Sequence, residues 1–236
     1  MGIKEHVQAV QAKIEAAALA AGRDPKEVTL CAATKVQTDD TIRAAIAAGI
    51  RVCGENRVQE LTAHLEADAY AGARVHFIGH LQTNKVKQVV GKVELIHSVD
   101  SERLLRAIDA QADKLGIRQD ILLEVNIARE ESKGGCLPEE VPALAELAQS
   151  LGHLRLRGLM AIPPISPEPG ANRPYFAAMR QLFVDIREKM SDNQTDMDCL
   201  SMGMSGDYED AIREGATLVR VGTALFGPRP PMGAAR

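Results

Sequence analysis

The 236-residue sequence predicts an α/β fold built as a single (β/α)8 TIM barrel. Three observations carry that prediction. Eight short apolar runs follow one another, mostly separated by segments with helical periodicity. The length suits eight such units, which take about 250 residues. No segment is a linker long enough to split the chain. An open doubly wound sheet also fits the alternation and is the second choice.

The elements run in order. Ile3, Val7, Val10 and Ile14 repeat at spacings of four and three, the apolar face of a first helix. Gly22 ends it and Pro25 follows. Residues 28–34 are an apolar run of strand length. Thr38, Asp39 and Asp40 then open a helix, Ile42, Ala45 and Ile46 form its face, and Gly49 stops it. A second strand at 51–53 leads into a helix over about 56–69, and a third at 75–79 into a helix over about 84–90. A fourth strand at 95–98 precedes a helix that opens at Asp100, buries Leu104, Leu105 and Ile108, and closes at Gly116. The fifth strand, 121–125, is followed by a polar, Gly-rich loop and a helix over about 139–151. The stretch 154–162 contains the sixth strand, after which Pro163, Pro164, Pro167 and Pro169 force a turn and an extended loop. A helix over about 174–190 precedes the seventh strand at 200–202, and the eighth lies at 218–221. No segment is long enough to be a linker, so residues 1–236 read as one domain.

Bulk properties exclude several classes. Lys plus Arg is 28 and Asp plus Glu is 32, a net charge of -4, which argues against nucleic-acid or membrane-surface binding driven by overall charge. The cysteines at 31, 53, 136 and 199 form no C-x-x-C pair and sit in apolar segments, as small core residues in a reducing compartment would. The start, M-G-I-K-E-H, has neither a signal-peptide core nor the Ser or Thr a myristoylation motif needs at position 6. No uncharged apolar run reaches membrane-spanning length, so a cytoplasmic location is expected.

Chemistry concentrates at strand ends. Lys35 closes the run V-T-L-C-A-A-T-K (28–35). A charged residue there can simply mark where a buried strand meets water. In a barrel, however, the C-terminal strand ends face the active site, and a desolvated amine at such a place attacks aldehydes. Barrel phosphate sites are commonly built from the loops after strands seven and eight. Here those loops are G-M-S-G (203–206) and G-T (222–223), and a helix opening at Ser205 or Gly206 would add its first amides. Each alone is an ordinary turn; both at the two expected strands point to a phosphate. An amine for an aldehyde and a cup for a phosphate together indicate pyridoxal phosphate. Arg220 faces the barrel interior by strand alternation, as a structural ion pair or as a permanently protonated partner for a ring nitrogen. Lys133, in R-E-E-S-K-G-G (129–135), faces the same barrel end, either as a solvated loop residue or as a secondary cofactor contact. His76 and His80 lie roughly 13 Å apart along a strand, too far to share a metal ion; His80 lies toward the cofactor end and His76 toward the opposite one.

Longer motifs sharpen this. G-E-N-R-V-Q-E (54–60), H-F-I-G-H-L-Q-T-N-K (76–85), I-H-S-V-D-S (96–101), L-S-M-G-M-S-G-D (200–207) and V-R-V-G-T-A-L-F-G (219–227) together resemble the pyridoxal phosphate homeostasis protein family, also called proline synthetase co-transcribed homologues. The resemblance runs over nearly the whole chain. It implies one barrel similar to the N-terminal domain of alanine racemase, fold type III among pyridoxal phosphate proteins. It implies that Lys35 carries the cofactor as an internal aldimine, a Schiff base, that Asn56 lies beside the ring, and that Arg220 meets the pyridine nitrogen. It assigns Ser201, Ser205, Gly222 and Thr223 to the phosphate. Thr34 and Gln37 stand where many members have Ser and a second Lys, and Val75 stands where Trp is usual.

The function expected is therefore to hold pyridoxal phosphate, buffering or delivering it, without dedicated turnover. The open mouth is expected to expose the aldimine to small amines and to apo-enzymes that need the cofactor. The alternative is a pyridoxal phosphate-dependent amino-acid racemase, which needs a base on each face of the substrate α-carbon. Alanine racemases take the second base, a tyrosine, from a partner subunit and carry an additional C-terminal β domain. This sequence ends nine residues after Gly227, and Tyr70, Tyr175 and Tyr208 have no evident claim to that role. A barrel aldolase acting on a sugar phosphate is a third reading, disfavoured by the motifs. A monomer is expected.

Overall fold

The computed structural model describes residues 2–130, 132–166, 168–190 and 197–228. Pro167 and Glu131, anticipated in the two polar loops, lie outside the described residues. The chain opens with α1 (Ile3–Ala20), β1 (Thr29–Ala33), α2 (Asp39–Ala47), β2 (Val52–Glu55), α3 (Val58–Glu66) and β3 (Arg74–Phe77). It continues with β4 (Leu95–Val99), α4 (Glu102–Leu115), β5 (Gln119–Val125), α5 (Val141–Ser150), β6 (Leu154–Ala161) and α6 (Arg173–Met190). The last elements are β7 (Cys199–Ser201), α7 (Tyr208–Arg213), β8 (Leu218–Val221) and α8 (Thr223–Phe226).

The eight strands form a closed barrel in sequential order, all pairs parallel, and β1 completes the ring by pairing with β8 from Thr29↔Leu218 to Ala32↔Val221. Closure rules out the open doubly wound sheet. Strand alternation sorts the side chains. Ala32, Cys53, Val75, Phe77, Ile96, Leu123, Leu200, Val219 and Val221 point outward and pack with the helices in the main core. Cys31, Val52, Ile78 and Leu218 pack together inside the barrel, as do Leu95, Leu122 and Met160. Burial of Val7, Val10 and Ile14 fixes α1 as expected.

Two expected helices differ. Residues 84–90 form only a 3-10 segment, Thr83–Gln88, in which Val86 alone is buried; one apolar residue in six cannot supply a helix face. The helix expected to open at Ser205 or Gly206 begins at Tyr208. The carboxylate of Asp207 accepts from Met204 N–H at 2.7 Å, and the carbonyl of Met204 accepts from the N–H groups of Asp207 and Tyr208, so residues 204–207 are spent on a turn.

Gly79, just past β3, lies directly against the end of β2. A Cβ there would sit 1.9 Å from the Asn56 carbonyl oxygen. Gly79→Ala must therefore displace backbone, and a loss of about 3 kcal/mol is expected, read as a fall of roughly 10 °C in a thermal melt. An unchanged melting temperature would show that the Asn56 segment yields easily.

Candidate functional site

Lys35 leaves the C-terminal end of β1 half-buried. Thr34 just before it is held by its N–H to the Gly54 carbonyl at 2.9 Å, and Val36 just after it has φ +59°. A β-branched residue in the left-handed region costs about 1–3 kcal/mol and persists only where neighbours impose it. Here the Val36 N–H donates to Glu60 Oε2 at 2.8 Å. The chain is thus bent sharply away from the barrel directly after Lys35. Lys35, Gln37, Gly222 and Thr223 line one small cleft, so the structure joins the amine to the turn after β8.

The two phosphate-type loops are tied to each other. The Ser205 hydroxyl oxygen accepts from Gly222 N–H at 3.1 Å and from Ala224 N–H at 3.3 Å. Asn172 fastens the loop after β6 to the same place, donating to Asp207 Oδ2 at 2.7 Å and to the Pro164 carbonyl at 3.0 Å. Ser205, Gly222 and Thr223 thus gather at one place, next to Lys35. Ser201 stands apart. It is fully buried on β7, accepts from Arg220 Nη1 and lies 3.0 Å from His97 Nδ1.

Arg220 is buried inside the barrel, where Nη2 donates to the Ala161 carbonyl at 2.8 Å. Burial lowers its pKa, countered by the neighbouring Cys31 thiol and the carboxylates of Glu124 and Asp207. Glu124, on β5, has its own pKa raised by burial and by Asp100, and lowered by Arg220. Such a buried charge is tolerated because it is hydrogen-bonded to Ser201 and to the Ala161 carbonyl, with the carboxylates of Glu124 and Asp207 favouring it from nearby.

Asn56 follows β2. Its N–H donates to Glu55 Oε1 at 2.9 Å, while its side-chain Oδ1 is buried with no hydrogen-bond partner. A buried orphan acceptor at the mouth is the sort of group a ligand satisfies. Beneath it on the helix side, Glu55 Oε2 accepts from Thr34 Oγ1 and from Tyr70 O–H, each at 3.0 Å. Burial raises the Glu55 pKa above 4.5, so the folded state favours its protonated form. The stability this gives is fully present below pH 4.5 and is lost as pH rises through the folded pKa. Glu55→Gln should flatten that part of the stability-against-pH curve while keeping Asn56 and Thr34 in place. Parallel curves for the two proteins would show that Glu55 does not titrate there.

The remaining candidates lie elsewhere. Lys133 is half-buried in the turn after β5, and His80 is exposed beyond β3. His76 lines the N-terminal end of the barrel. Among the described residues no group of three or more His, Cys, Asp or Glu side chains is arranged for a metal ion, and no helix is long and apolar enough to cross a membrane. Glu55, Glu124, His97 and Asp207 were not singled out from sequence. The argument that isolates Arg220, a polar group set in an apolar strand, applies equally to Glu124 in I-L-L-E-V and His97 in L-I-H-S-V.

The family described as alanine racemase, N-terminal domain, matches residues 6–230. A pyridoxal phosphate homeostasis protein of Aquifex aeolicus is 43% identical over 229 residues, covering 97% of this chain and 99% of that protein. The solved structure of PipY from Synechococcus elongatus with pyridoxal phosphate bound superposes with a TM-score of 0.82 at 33% identity, covering 95% of this chain and all of that one. The alanine racemase of Streptomyces coelicolor shares the fold alone, with a TM-score of 0.69 at 20% identity, covering 96% of this chain and 59% of that one. The closed barrel, the motifs at its strand ends and the near-complete matches agree: this chain belongs to the pyridoxal phosphate homeostasis protein family, with the alanine racemase N-terminal domain fold.

Proposed function

We propose that this protein holds pyridoxal phosphate at the C-terminal barrel mouth, with Lys35 as its Schiff-base residue, and buffers or delivers it. The observation that carries the reading is the shared cleft of Lys35, Gly222 and Thr223, with Ser205 bonded to the same turn. The residues fit the group. Lys35 offers an amine, the Ser205–Gly222–Thr223 cluster offers small polar groups for a phosphate, and Asn56 offers an unused buried oxygen. PipY, the relative solved with pyridoxal phosphate bound, supports that choice of ligand.

When bound, the cofactor supplies an aldehyde for amines and a ring that withdraws electrons. The chain's own groups set the limits. Arg220 stays protonated; placed at the ring nitrogen, as the resemblance implies, it would donate a hydrogen bond there without giving up its proton. That would weaken electron withdrawal and restrain turnover. The resemblance places Ser201 with the phosphate, but its bonds to Arg220 and His97 favour a role in holding the guanidinium. The racemase reading is weaker. Tyr70 donates to Glu55 and Tyr208 is buried, so neither is poised as a second base.

The first test is an absorbance spectrum of the purified protein, followed by borohydride reduction and peptide mass mapping. A yellow protein with the adduct on Lys35 supports the reading. A colourless protein that takes up no added cofactor overturns it. Rapid turnover of alanine enantiomers would put the racemase first. Delivery is tested by mixing the loaded protein with an apo-aminotransferase and following recovered activity. Light scattering checks the expected monomer.

A further inference from the structure

We propose that the N-terminal mouth of the barrel is a second binding site, taking a small carboxylate through the buried edge of His76. The cavity there measures about 190 Å³ and lies at the opposite end of the barrel from Lys35. Its wall includes Thr29, Arg74, His76, Asp120, Arg157 and Thr217. The proposal does not depend on what the other mouth binds.

The argument is a count of hydrogens along a buried column. Arg220 Nη1 donates to Ser201 Oγ, so that oxygen is already an acceptor. The Ser201 hydrogen needs an acceptor of its own, and His97 Nδ1 lies 3.0 Å away. His97 then carries its hydrogen on Nε2, which lies 3.0 Å from His76 Nδ1. His76 in turn must carry its hydrogen on Nε2. That nitrogen is buried and has no partner in the protein. Charging the rings does not remove the problem, since burial holds the His76 pKa down at about 3 and the His97 pKa well below its usual value. The column therefore ends in a buried donor on a residue that lines the cavity, and an unmet donor of this kind is costly unless something accepts from it.

The rim selects the acceptor. Glu27 pairs with Arg23, Glu94 with Arg74, Asp198 with Arg157, and Asp120 with both Arg155 and Arg157. Four carboxylates and two arginines line the cavity, and Arg23 and Arg155 pair with two of the acids from outside it, so every acid of the rim is matched by a guanidinium. Arg74 and Arg157 share the cavity wall with His76, and guanidinium groups match carboxylates geometrically. The Arg74–Glu94 pair is half exposed and is the part of the rim that opens to admit the ligand. A simple carboxylic acid and the carboxylate of a free amino acid meet the same requirement.

The test uses the full chain labelled with 15N-histidine at pH 7. His76 and His97 should both appear as neutral rings protonated on Nε2. Sodium acetate and, separately, glycine are then titrated in, with sodium chloride as the control at matched ionic strength. A saturable shift of the His76 Nε2 resonance with acetate, absent with chloride, supports the site. The same shift with glycine extends it to amino acids, and its absence confines it to simple acids. Arg157→Gln should weaken acetate binding by about tenfold; if that variant fails to fold, Arg74→Gln carries the comparison. A His76 ring protonated on Nδ1, no saturable shift with either probe, or an equal response to chloride overturns the proposal. Failure here leaves the Lys35 adduct untouched, so the two readings fail separately.

Discussion

Lys35→Ala should abolish the borohydride-fixed cofactor adduct completely while leaving the barrel folded. Lys35 is half-buried just past the C-terminal end of β1. Truncating such a side chain changes stability by about 0.5 kcal/mol, so the melting temperature of the variant should stay within a few degrees of the parent. The chemistry, in contrast, is all or none, because only an amine condenses with the aldehyde. Lys35→Arg sharpens the test. It keeps the positive charge and most of the length but removes the nucleophile, since a guanidinium stays protonated. Both variants should come out colourless, with added cofactor held weakly through the phosphate alone and washed out by dialysis. Tight, coloured retention in Lys35→Ala would transfer the anchor to another lysine, and Lys133 would be the first to examine.

Arg220→Leu should be the most destabilising change at the site. The substitution leaves the Ala161 carbonyl and the Ser201 hydroxyl without their buried donor and removes the charge that favours the Glu124 carboxylate. Breaking such a network from one side costs about 3–5 kcal/mol, equivalent to a fall of roughly 10 °C or more in melting temperature for a chain of this size. Most of that cost comes from the groups left behind. Arg220→Leu combined with Glu124→Leu should therefore recover part of the loss, and the double-mutant cycle gives the coupling directly. If the double variant loses the full sum of the single effects, Arg220 and Glu124 are independent and their electrostatic coupling is absent.

Much of this was legible in the sequence, for physical reasons that differ by region. The outward faces of the strands are continuous apolar runs, because helices cover them, and those runs locate all eight strands. Arg220 betrayed the interior because a charge among valines has few places to go. The Lys35 end and the two Gly-containing turns are legible because a charge closes an apolar run and small residues mark the turns after strands seven and eight. The rest depends on pairing across distant strands. Glu55 gains its meaning from Tyr70 and Thr34, and Ser201 from Arg220 and His97, partners that no local pattern reveals. The 3-10 segment after β3 departs from the βα rhythm because the stretch has too few apolar residues for a helix face. The bend at Val36 escaped because valine gives no local warning of a left-handed backbone.

The pairing of β1 with β8 has a consequence for how the protein is made. Lys35 emerges among the earliest residues synthesised, whereas Gly222 and Thr223 follow nearly 190 residues later, and only the last strand brings them side by side. Contacts so remote along the chain carry a high loop-closure cost and form late. A growing polypeptide on the ribosome thus displays Lys35 without the turn after β8, and the site proposed for the cofactor is incomplete until translation is nearly finished. Any ligand that bridges this seam acts as a latch on the final step of ring closure, and it holds together the two strands that the chain itself joins least directly.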